Sequence, residues 1–230
     1  MTFTKQLLSM LALATIGLSA CNDNSVSDNG YYTDRKIVAS PLTVIGKLNS
    51  KRSVKINDSF VYKPIPWELG AGKLVAVFVG DDVVAETNVS EDGSFTMTLP
   101  STLKYPFVNS FSDLRGGLTI TPKYFLATQS PICSFYFYTP DDPSTPNWNE
   151  SLYIKDIVSP KIINESDSTV LLRIGFTMAE NGTVIGTSTN GEVKYNSKFK
   201  KGWNIETWKD VDGVTEYSVV NSMPANVVWF

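Results

Sequence analysis

The stretch Gly72–Pro100, GKLVAVFVGDDVVAETNVSEDGSFTMTLP, decides the fold class. Its last part, SFTMTL, alternates: Phe95, Met97 and Leu99 fall on one side, Ser94, Thr96 and Thr98 on the other. Side chains along a strand point to opposite faces in turn, so this is a strand with one buried face. KLVAVFVG is apolar on both faces, which suits a central strand covered on two sides. GDD at Gly80–Asp82 and EDG at Glu91–Gly93 are turn signals between them.

The same grammar continues outward. TVLLRIGFT puts Val170, Leu172, Ile174 and Phe176 on one face. Further strands are expected over Leu42–Leu48, Gly117–Thr128, Cys133–Thr139, Val184–Thr189, Gly202–Lys209, Val214–Val220 and Asn226–Phe230. ENG at Glu180–Gly182, TNG at Thr189–Gly191 and DVDG at Asp210–Gly213 are expected to turn hairpins. After the first twenty residues no stretch keeps a helical period. Many short strands between turn clusters predict an all-β chain, a sandwich or a barrel.

With its Asp-Gly turn ahead of an alternating strand ending in Leu-Pro, the region Ser40–Ser101 resembles the transthyretin-like, carboxypeptidase-regulatory-like β-sandwich repeat. Gly93 and Phe95 match its turn and its core aromatic. The resemblance implies an antiparallel, transthyretin/Ig-like β-sandwich and a structural or binding module without catalytic residues of its own. Residues 40–105 are therefore expected to form this sandwich. Residues 106–230 form a second β-rich region, either packed against it or continuous with it. The proline-rich TPDDPSTPNWNE, Thr139–Glu150, is a boundary or a long loop. FKKGWN and the tail NVVWF are similar to the ends of small Bacteroidota lipoproteins.

The first residues carry an address. Lys5 and the amino terminus are positive, Leu7–Leu18 is almost wholly apolar or small, and Leu18-Ser19-Ala20 leads into Cys21. A positive start, a short apolar run and a small-residue cut site mark a secretory signal. The run falls short of the ~20 residues that span a bilayer. Leu-Ser-Ala-Cys resembles the bacterial lipobox, which implies a lipid on the Cys21 thiol and cleavage just before it. Residues 1–20 are then a leader and 21–39 a tether, with NDNSVSDN (Asn22–Asn29) too polar to bury surface. Asp23 and Asp28 partly resemble the acidic cluster that follows the cysteine in surface-displayed lipoproteins. The expected location is the outer membrane, on the cell surface or the periplasmic face.

Composition narrows the chemistry. The chain has no histidine, which removes Ser-His-Asp and Cys-His nucleophile pairs and the imidazole that most zinc and copper sites use. Net charge is −3, and −4 once the leader's single lysine is gone. An acidic balance argues against nucleic acid as partner. With Cys21 acylated, Cys133 has no disulfide partner and reads as a small buried hydrophobe. No cofactor and no enzymatic activity are expected.

Five short patterns invite a chemical reading. In ELGAGKLV, Leu74 stands where a phosphate loop needs Ser or Thr, and Trp67 where it needs Gly. SKFK (Ser197–Lys200) and SDN (Ser27–Asn29) mimic pieces of a serine β-lactamase signature in the wrong order; Ser197 and Lys200 are expected on an exposed basic edge. In DVDGVTE, Gly213 comes too early for a calcium loop. Asp141, Asp142 and Glu150 offer oxygen ligands for a weak calcium site on the proline-rich loop.

Aromatics remain as binding candidates. In CSFYFYT, Tyr136 and Tyr138 share the face opposite Phe135 and Phe137, and could stack a sugar ring or a partner side chain. Trp203 and Trp208 fall on opposite strand faces, so Trp208 is a second candidate, and Trp148 in the polar loop a third. Three functions follow. The first is a non-catalytic envelope lipoprotein that binds a glycan or another envelope protein, with the membrane as partner through Cys21. The second is a fimbrillin-like pilus subunit or anchor, trimmed at Arg35 or Arg52. The third is a histidine-free carbohydrate hydrolase built on two carboxylates.

Overall fold

The structure is a computed structural model that describes residues 35–56, 59–77, 83–104, 108–111, 116–128, 130–139 and 156–230. These belong to one compact unit, Thr33–Phe230. Every regular element among the described residues is a strand. The protein is an all-β, largely antiparallel sandwich whose larger sheet curls.

The first sheet has six strands: β2 (Leu42–Lys47), β5 (Gly72–Val77), β6 (Val83–Val89), β7 (Ser94–Leu99), β12 (Phe135–Tyr138) and β13 (Asp156–Val158). Their order is β13-β12-β5-β6-β7-β2. Strands from both sides of residue 105 therefore build it. The second sheet contains β9 (Val108–Phe111), β10 (Leu118–Thr121), β11 (Phe125–Thr128), β15 (Val170–Ala179), β16 (Gly182–Thr187), β17 (Val193–Phe199), β18 (Gly202–Val211) and β19 (Val214–Val220). Their order is β10-β16-β17-β19-β18-β15-β11-β9, and β14 (Pro160–Ile163) joins β15 to β20 (Val228–Trp229). One pair, β17 with β19, is parallel. Two short ribbons complete the fold: β1 (Lys36–Val38) with β8 (Thr102–Lys104), and β3 (Ser50–Ile56) with β4 (Ser59–Ile65).

One core fills the space between the two sheets. The inward residues of the first, Leu74, Ala76, Phe95, Met97, Leu99, Phe135 and Phe137, meet Phe176 and Met178 of β15. Trp229 sits at their junction, with ring centroids 5.0 Å from Phe95, 5.2 Å from Phe135 and 6.5 Å from Phe176. Its backbone does similar work. Trp229 bridges Leu48 at the end of β2 and pairs with Pro160 of β14. The last strand thus occupies edges that both sheets would otherwise leave open.

A second core lies on the other face of the larger sheet. Phe125, Ala127, Ala179, Val184 and Phe199 are buried there, with Phe111 and Tyr195 packed on them. Phe111, on the end strand β9, stacks on Phe125 at 5.2 Å and meets Phe199 of β17 at 6.1 Å. An end strand can reach β17 only if the sheet curls round this face.

Three expectations change. Glu180–Gly182 is a corner, not a hairpin, because β15 lies between β11 and β18 while β16 lies between β10 and β17. Gly182 has Phe125 against its Cα hydrogen, so the chain dives into the second core there. Gly117–Thr128 is two strands, broken at Pro122, whose missing N–H cannot serve a ladder. Ser197 is buried in central β17, because that strand turns Val193, Tyr195, Ser197 and Phe199 inward; only Lys200 is exposed. Asp210–Gly213 does turn the β18–β19 hairpin, with Asp212 and Gly213 at φ 50° and 83° as a tight primed turn requires.

Candidate functional site

The most organised set of polar and aromatic groups lies inside the curl of the larger sheet. Alternation puts Trp208 on β18, Tyr217 on β19 and Tyr195 on β17 on one face. Register then sets them side by side, with Trp208 opposite Tyr217 and Tyr217 beside Tyr195. The rings stack, Tyr195 to Tyr217 at 4.7 Å and Trp208 to Tyr217 at 6.0 Å, with interplanar angles of 12° and 20°. All three are half-buried. Beyond Tyr195, Gly186 leaves the neighbouring strand without a side chain. Beyond Trp208, the ring lies over Gly175, where a Cβ would come within 3.1 Å of it.

Polar groups flank this ladder on both sides along the strands. Toward the hairpin end, Arg173 pairs with Asp210 at 2.7 Å, and Thr215 donates to the same carboxylate at 2.9 Å. The guanidinium holds the Asp210 carboxyl below its ordinary value. Toward the interior, the next row carries Glu206, opposite Gly175 and Val219. Glu206 is buried, and Thr177 donates to its Oε2 at 2.8 Å. Burial raises its carboxyl to about 7, against an ordinary 4.5, and the Thr177 bond opposes only part of that. The hydroxyl of Ser197 is buried on the same face with no partner among the described residues. At neutral pH Glu206 is thus partly protonated, able to donate as well as accept.

Of the aromatic binding candidates picked out from sequence, only Trp208 belongs to this arrangement. Tyr136 and Tyr138 lie on the far side of the molecule, on the outer face of the first sheet. Tyr138 is buried beside Val75 and Val77, and its hydroxyl donates to Glu86 at 3.1 Å. Lys73 bonds the other Glu86 oxygen. Burial first, then the Glu86 charge, raises the Tyr138 phenol. Tyr136 is half-buried beside it. Cys133 is free, and burial raises its thiol. Trp148, the acidic trio Asp141, Asp142 and Glu150, and Cys21 lie outside the described residues.

Sequence reading missed Tyr195, Tyr217 and Glu206. Each sits in an alternating run, but their meeting depends on the parallel β17–β19 pairing, which no local signal announces. Comparison of the chain with protein-family models, with curated proteins and with solved structures finds no match. The fold and the site therefore define a class only: a β-sandwich with an aromatic ladder inside a curled sheet.

Proposed function

We propose that this is a non-catalytic binding lipoprotein of the cell envelope, with a glycan taken at the Trp208–Tyr217–Tyr195 ladder. The observation that carries this reading is the row of three stacked rings between Arg173–Asp210 and Glu206. Sugar rings pack their C–H faces on aromatic groups, while their hydroxyls need donors and acceptors close by. The ladder, whose inner faces are taken up by ring-on-ring stacking, supplies the first as a half-buried apolar surface along its accessible side; Arg173, Asp210 and Thr215 supply the second. Glu206 is taken up by Thr177 on the adjacent strand, which suits a structural carboxyl more than one half of a hydrolytic pair.

The envelope address rests on the leader and on Leu-Ser-Ala-Cys ahead of Cys21. Acyl chains on Cys21 would hold the domain at the outer membrane, on its surface or its periplasmic face, since each buried CH2 contributes ~0.8 kcal/mol.

The test is a glycan array with wild type, Trp208→Ala and Tyr136→Ala. Wild type and Tyr136→Ala are expected to bind the same glycans. Trp208→Ala should lose about tenfold, on the order of 1.4 kcal/mol. An array on which Trp208→Ala binds as wild type does would end the reading. Labelling with fatty acid, with and without Cys21→Ala, tests the anchor separately.

A further inference from the structure

The β3–β4 ribbon stands apart from both sheets: each strand pairs only with the other. Its base is tied down. Ser50 is buried and its hydroxyl accepts from the Glu68 N–H at 2.9 Å, and Lys51 pairs with Asp156. From that base the two strands run out side by side as far as the Ile56–Ser59 pair. A two-stranded hairpin gains little stability by itself, so its exposed side chains call for an explanation.

Register sets Lys51 opposite Pro64, Ser53 opposite Tyr62 and Lys55 opposite Phe60 on one face. Phe60 is 65 % exposed and Tyr62 59 %. Arg52 lies opposite Lys63 on the other face, beside Val54 and Val61. The span Ser50–Ile65 carries four basic residues and one acid, in a chain with 23 acidic and 20 basic residues. The ribbon therefore reverses the charge of the molecule around it and adds two aromatic side chains facing water.

We propose that the β3–β4 hairpin docks on an anionic lipid bilayer, with Phe60 and Tyr62 entering the headgroup region, Lys55 beside them meeting lipid phosphates, and Arg52 and Lys63 on the opposite face adding longer-range attraction to the anionic surface. Aromatic side chains settle at the water–lipid boundary, and Lys and Arg bury their stems there while keeping their charges among the headgroups. A second copy of the chain is a poorer occupant. Two such ribbons would bring like charges together, and Pro64 has no N–H to offer at the β4 edge. The contact is independent of any lipid on Cys21 and of the glycan site.

The experiment uses the Thr33–Phe230 unit, which contains both cores and every described strand and has neither the leader nor Cys21. It is sedimented with vesicles of phosphatidylcholine alone and of phosphatidylcholine with phosphatidylglycerol. Wild type should sediment with the anionic vesicles and stay in solution with the neutral ones. Phe60→Ala/Tyr62→Ala and Arg52→Glu/Lys55→Glu should each weaken binding at least about tenfold, with thermal melts close to wild type because the changed side chains are exposed. Phe60→Trp should give extra fluorescence that moves to shorter wavelength on anionic vesicles and is quenched by brominated acyl chains. No binding to anionic vesicles, or equal binding by all variants, overturns the proposal. So does binding only to a soluble sulfated polysaccharide that depends on Arg52 and Lys55 and not on Phe60 and Tyr62. That outcome would make the ribbon a polyanion site.

Discussion

At Gly93 a single missing side chain holds two strands together. Its φ is 86°, a region that L side chains avoid, and it closes the β6–β7 turn by donating to Ser90 at 2.9 Å. A Cβ there would stand 2.8 Å from Trp67 Cγ and 2.9 Å from the Leu48 carbonyl, which itself lies beside β2. Gly93→Ala should cost about 2–4 kcal/mol, combining left-handed strain with overpacking, measured by urea denaturation. Glu206 makes a prediction of a different kind. Its carboxyl is raised by burial to about 7, so between about 4.5 and about 7 the folded protein holds a proton that the unfolded chain has released. This contribution to stability is full below 4.5 and is lost as pH rises through about 7, a change on the order of 3 kcal/mol. The chain has no histidine to confuse that window. Denaturation midpoints should fall from pH 4.5 to 8 in wild type, and Glu206→Gln should flatten the slope. Lys161 works in the opposite sense at higher pH. Burial, with Lys51 and Arg173 nearby, lowers its ammonium to about 8, so stability should rise between about 8 and 10.5.

Among the described elements β20 is the shortest, and it links the two sheets. Two residues long, it joins β14 of one sheet to the end of β2 in the other through Trp229. Trp229→Ala should cost about 3–5 kcal/mol, because it removes a large buried ring and leaves Phe95, Phe135 and Phe176 around a cavity. A calorimetric scan against Trp208→Ala, whose ring is half-buried on the other face, would separate the structural tryptophan from the binding one. Strand positions were legible in the chain itself: β7 keeps the alternating burial expected of it, β15 and β19 lie at the expected residues, but β15 is buried on both faces from Ile174 onward and β19 is half-buried throughout. The β3–β4 ribbon was not legible as a pair of strands, because one face mixes Lys and Ser with Tyr and Phe and the other mixes Arg52 and Lys63 with Val54 and Val61, so neither is an apolar face for a core. β13 and β14 escaped notice because three or four residues are too few to show a period.

Over the whole molecule, pairing decides what alternation leaves open. The chain alone determined the all-β class, the inward faces of β7 and β12, and Phe95 as core. It did so because a period of two and a turn residue such as Gly93 are local properties, expressed wherever they occur. It also set the absence of imidazole chemistry, since that is composition. Tertiary structure alone decided that β17 runs parallel beside β19, and so that Tyr195, Tyr217 and Trp208 form one ladder. It decided that Glu206 is buried, which raises its carboxyl, and that Ser197 turns inward. These depend on which strands become neighbours and how far the sheet curls. Both are settled by the burial of Phe111, Phe125 and Phe199 against one another across long stretches of sequence, and no window of neighbouring residues records that contact.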